Sequence, residues 1–263
     1  MNLAILPDIL GIALLILAYR PLLRRAGAHV DVWFAGWGLV ICNLVVVGAT
    51  GKADPARPFA QTLVITSIEL CGLCFLLAAA NHKRPQVSKR FAVALAVPML
   101  VQAALASFAV STEGVLRDAI FIGASLLFLA PAIYLITVKR DRRRPMAVIA
   151  AGFAVLAIGS LPFTSAHPLL VADGVRSVIF LCAAYVCILY ARQRTPGVMV
   201  AAAGLILWAL KFPFVTFWLD HVVHTSLGNG LLEVPQYLVV AGSILTLLKI
   251  TSRELSVWRC MIR

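Results

Sequence analysis

The sequence predicts an all-α fold: a polytopic transmembrane helix bundle of about nine spans, N-terminus outside and C-terminus cytoplasmic. Three observations predict it. Of the 263 residues, 62% are hydrophobic and only 13% charged, where a soluble domain carries about a quarter charged residues. The apolar residues gather into nine runs, each near the ~20 residues a helix needs to cross a ~30 Å hydrocarbon core. The basic residues, finally, crowd into alternate connections between those runs. With a mean hydropathy of +0.96, this composition excludes a cytosolic enzyme, a disulfide-laced secreted domain and a disordered tail.

The first run, 3–19, has no basic stretch before it and positive charge after it, so it reads as a helix and not as a cleaved signal peptide. The runs 30–49, 59–80, 91–110, 119–138, 146–163, 170–190, 198–219 and 231–250 follow. Backbone groups find no water in a bilayer core, so each run must be helical; a barrel would need alternating strands of ~10 residues. Residues 1–250 therefore form one transmembrane domain, and 251–263 form a short cytoplasmic tail that reads as the start of a signalling helix. Connections on one side and the tail hold 18 Lys and Arg, those on the other side three (Lys52, Arg57 and Arg117). The basic side is cytoplasmic. Membrane lipid headgroups account for the pI near 10.0 without any nucleic acid.

Pro98, Pro131 and Pro213 interrupt the fourth, fifth and eighth runs; each removes a backbone hydrogen bond and kinks its helix. Five of the six cysteines lie within runs. Cys71 and Cys74 have C-x-x-C spacing inside a span, where cysteine is mostly a small apolar residue and no second pair completes a metal set.

Charge inside a span costs about 2.5–3.5 kcal/mol even on a lenient scale, so each such residue is a site candidate. Glu69 is at the middle of the third run, Lys211 within the eighth, Arg176 and Asp173 on one face of the seventh, and Asp8 in the first. All lie in the outer half or at the centre. Glu233 stands at the outer start of the last run, and Trp208 near Lys211. Together Asp8, Glu69, Asp173, Arg176, Trp208, Lys211 and Glu233 form the predicted ligand-binding set. Two readings apply to it: Glu69 pairs with Lys211 or Arg176 and Asp173 with Arg176 to fix helix packing, or the groups line a polar cavity open to the outside. His221 and His224, at i and i+3, are a weak metal candidate with Asp220 or Glu233; no cofactor is expected. Trp33 and Trp37, near the inner end of the second run, read as interfacial belt residues.

No zincin, nucleophile-elbow or phosphate-loop motif is present in the sequence. Ser160 and Ser165 near His167 lack an oriented third group. An intramembrane hydrolase would need Glu69 and Asp8 as an acid/base pair. A small-solute transporter would place its site around Glu69 and the kinked helices, but nine runs show no pair of internal repeats.

The stretch Leu207-Trp208-Ala209-Leu210-Lys211-Phe212-Pro213, with the run from Glu233-Val234-Pro235-Gln236-Tyr237 to Leu248, resembles the closing part of the N-terminal multi-helix membrane sensor modules of bacterial sensor histidine kinases and diguanylate cyclases. Pro7-Asp8-Ile9-Leu10-Gly11 is similar to their opening. The resemblance implies a bacterial inner-membrane sensory module. Its last helix would pass a signal to a cytoplasmic kinase or cyclase output domain as partner, or to a homodimer mate. The sequence itself contains no phosphoacceptor-histidine, ATP-binding or cyclase signature, so the expected protein senses an unknown small ligand without catalysis of its own. The small-solute transporter is the alternative.

Overall fold

The computed structural model describes residues 8–14, 16–17, 28–50, 58–80, 89–108, 115–138, 143–160, 168–190, 196–218, 234–246 and 248–249. Every described residue except Leu127 and Phe128 is helical, and no strand occurs among them. The helices are α1 (8–14, continuing at 16–17), α2 (Ala28–Thr50), α3 (Pro58–Ala80), α4 (Lys89–Phe108), α5 (Val115–Leu126), α6 (Leu129–Val138), α7 (Arg143–Ser160), α8 (Pro168–Tyr190), α9 (Pro196–Trp218) and α10 (Val234–Thr246). Three of these carry stretches both long and apolar enough to cross a membrane: Asp31–Thr50, Pro58–Ala80 and Leu170–Leu189.

Local sequence explains where the helices start and break. α3, α8 and α9 each begin on a proline, whose fixed φ suits the first helical position and whose missing N–H is no loss there. Pro98 lies inside α4 without ending it, whereas the fifth apolar run is two helices. Pro131 has no N–H to offer the Leu127 carbonyl, which accepts from Ala130 at 3.0 Å instead. Phe128 likewise donates to Ser125 at 3.2 Å. Two tight i→i−3 bonds thus replace the α-helical pattern and separate α5 from α6.

The centre of the bundle is the pair α3 and α8. α3 packs against α2, α4 and α8, and α8 against α3, α4, α7 and α9. Gly72 of α3 makes the close approach possible: a Cβ there would stand 2.9 Å from the Ile179 and Phe180 side chains. α9 and α10 meet along glycines: added Cβ atoms would stand 2.5 Å from the Thr246 nitrogen at Gly197 and 2.7 Å from the Val239 nitrogen at Gly204, and would strike the Ala201 nitrogen at Gly242. As one helix ascends the other descends, so the pair is antiparallel, with backbones in contact as small residues permit in membrane bundles.

α10 is tied to the start of the chain as well. Tyr237 donates its hydroxyl to Asp8 on α1 at 2.5 Å. Trp33 on α2 donates its indole N–H to Ser243 at 3.2 Å, and Ser243 donates to the Val239 carbonyl at 2.7 Å.

Polarity runs inside out. Large apolar side chains face outward on almost every helix, among them Leu14, Val45, Leu63, Val97, Val155, Leu181, Leu207 and Leu245, while Asn43, Gln61, Glu69, Gln102, Ser125 and Gln236 are buried. A water-soluble fold arranges these the other way. Trp33 and Trp37 are not belt residues: Trp37 is fully buried, and both pack on Phe75, with centroids 4.4 and 5.6 Å away. The surrounding helices offer these rings aromatic partners, which outweighs their nearness to a helix end.

Candidate functional site

The site grows from the register of α3 on α8. Gly72 lies against Ile179 and Phe180, and one turn earlier on each helix stand Glu69 and Arg176. Another turn back, Ile65 and Ala172 share a buried cluster with Ala103 and Ala106 of α4. The two helices therefore run parallel, with Glu69 level with Arg176. Glu69 is fully buried, and the charges acting on its carboxyl are those of Arg176 and Asp173.

Arg176 is held from two sides. Its Nη1 donates to Asp173 Oδ1 at 2.9 Å, a pair of half-buried side chains one turn apart. Its guanidinium carbon lies 5.5 Å from the centroid of the Phe212 ring on α9, a cation–π contact worth about 0.5–2 kcal/mol. Next to it, Ser177 Oγ lies 2.9 Å from the Asp173 carbonyl and 2.8 Å from the Ala209 carbonyl of α9; its single hydrogen serves one at a time. Below this level an aromatic cluster fills the space between α2, α3, α8 and α9. Phe180 stacks on Trp208 at 4.9 Å and on Phe212 at 5.8 Å, and Trp37 reaches Trp208 at 6.3 Å.

The expected pairing of Asp173 with Arg176 is present; that of Glu69 is not. Neither oxygen of Glu69 has a hydrogen-bond partner among the described residues, and Arg176 Nε, also buried, lacks one too. The structure brings Asp173 and Arg176 of α8 to the level of Glu69, packs Trp208 of α9 on Phe180, and leaves Lys211 half-buried on α9. Asp8 belongs elsewhere, bonded to Tyr237, so it forms no carboxyl pair with Glu69 of the kind a hydrolase would use. Glu233, His221 and His224 lie outside the described residues. Among the described residues no group of three His, Cys, Asp or Glu could hold a metal ion.

Counting charges alone overlooks other buried polar atoms. Gln61 Oε1, Thr66 Oγ1, both amide atoms of Gln102, Ser125 Oγ and Trp37 Nε1 are also buried without partners among the described residues. Gln61 and Thr66 share α3 with Glu69, and Gln102 is on α4, which packs against it. The available signal was an uncharged amide or hydroxyl inside an apolar run, the way Gln102 stands between Val101 and Ala103. Asn43 is different: its amide donates to the Val64 carbonyl at 2.8 Å and to Ser67 at 3.0 Å, clasping α2 to α3.

Most native buried polar atoms have partners. Comparison with protein-family models, with curated proteins and with solved structures found no match for this chain.

Proposed function

We propose that this chain is a multi-pass inner-membrane protein of nine spans, N-terminus outside, working as a sensory module whose stimulus acts at the polar layer around Glu69. The observation that carries the reading is the set of buried polar atoms without partners among the described residues: both carboxyl oxygens of Glu69, Nε of Arg176 level with it on α8, and the amide and hydroxyl atoms of Gln102 and Thr66. A stimulus that engages these atoms biases one packing of α3 against α8 over another, which is what a two-state receptor requires. Arg176 and Ser177 carry the change to Phe212 and Ala209 of α9. The glycine contacts then oblige α10 to follow α9. An output domain or second copy joined to the cytoplasmic end would read that movement.

The decisive experiment places spin labels at Leu77→Cys and Leu248→Cys in proteoliposomes and follows their separation. Movement of α10 in response to acidification or an added solute, without solute flux, is the expected result. Solute uptake that disappears in Glu69→Gln would replace sensing by transport. For topology, thiols introduced at Arg142→Cys and His224→Cys label from opposite membrane faces; labelling from one face removes the nine-span arrangement.

A further inference from the structure

We infer that Glu69 is a proton-binding site, and that Arg176 is the group its carboxylate turns to when the proton leaves. The inference deepens the sensory reading by naming the stimulus, and it needs only α3 and α8 in the bilayer, two of the helices long and apolar enough for it. Both oxygens of Glu69 and Nε of Arg176 are buried, unpartnered among the described residues, and level with each other on adjacent helices. A complementary acceptor and donor thus lie at one level on adjacent helices with no bond between them.

An ionised carboxylate buried without a donor costs several kcal/mol; the neutral acid costs far less. The arrangement is accordingly that of the protonated acid. Asp173 and Arg176 then balance each other, and the site carries no net charge of its own. When the proton passes to water, the site becomes singly negative, and the buried cationic donor without a partner at its level among the described residues is Arg176 Nε. Taking it forms a charge-assisted hydrogen bond and pulls the guanidinium against its present ties to Asp173 and the Phe212 ring. A proton needs no cavity, which suits a site backed by aromatic rings packed on one another.

The groups around Glu69 leave Arg176 as its answering charge. α8 supplies Asp173 and Arg176, and α3 itself Cys71 and Cys74. The buried faces of α2 and α4 supply neutral Asn43 and Gln102, with Asp31 exposed at the far end of α2. Lys211 is half-buried on α9, which packs on α8.

Infrared spectroscopy of the full chain in liposomes tests this, with protons as the probe. A carbonyl band of a protonated, water-shielded carboxylic acid is expected to fade as pH rises and to be missing in Glu69→Gln, which keeps the neutral acid's shape and should fold. In Arg176→Gln the same fading is expected at more alkaline pH, because the carboxylate has lost its partner; a merely structural role would not move it. A wild-type band that is absent, or that persists unchanged in Glu69→Gln, overturns the proton site. An unmoved titration in Arg176→Gln overturns the assignment of Arg176. If the band titrates while the α10 spin label stays still, the proton site stands and the sensory reading falls.

Discussion

Glu69 invites a comparison of stability with function. Its unpartnered carboxyl contributes desolvation cost and no hydrogen bond among the described residues. Replacing it by an apolar residue of similar size removes that cost. Glu69→Leu is therefore expected to raise the melting temperature in detergent, by the equivalent of about 1–3 kcal/mol, and, on the proposed sensory reading, to abolish the response of α10. A fall in melting temperature would mean that the carboxyl has a structural partner. Trp33 behaves oppositely, because its indole N–H is in use: Trp33→Phe is expected to cost about 1 kcal/mol for the bond, read in the same melts. At this scale the sequence revealed Glu69, Asp173 and Arg176, because charge inside an apolar run is conspicuous. It concealed Gln102 and Thr66, which carry no charge to single them out, and it concealed Trp37, since an indole near a helix end suits a headgroup layer as well as an aromatic core.

Among the elements, the broken fifth run and the α9–α10 seam make opposite predictions. Pro131→Ala restores an N–H facing the Leu127 carbonyl, letting α5 run into α6. Slower hydrogen exchange at residues 127–131 is expected, together with a gain of about 1–3 kcal/mol. At the seam there is no room: Gly242→Ala would drive a methyl into the Ala201 backbone. The expected cost is about 1–3 kcal/mol, while Gly38→Ala, with open space around it, is expected to be tolerated; thermal unfolding of the two variants side by side decides. Helix was legible in the sequence because apolar length and hydrogen-bond accounting leave a buried backbone few alternatives. The split at Leu127 was legible only as a kink, since whether a proline bends or breaks a helix depends on what its neighbours do with the released carbonyls. Nor do the small residues of α9 and α10 announce their partner, because a glycine reads the same whether it faces lipid or another backbone.

For the whole molecule, inverted polarity is the governing property: apolar side chains outward, carboxyl and amides within. Which side of the chain faces the core was not readable from periodicity, because helices apolar all round carry no stripe; only tertiary contact reveals it. The bonds from Tyr237 to Asp8 and from Trp33 to Ser243 span most of the sequence. While the ribosome is still producing the earlier helices, Asp8 and the Trp33 indole must wait for Tyr237 and Ser243, which are encoded 229 and 210 residues later. α10 is thus the closing stave of a barrel cooper's work: until it slides in, Asp8 of α1, Trp33 of α2 and the glycines of α9 stand beside an open slot.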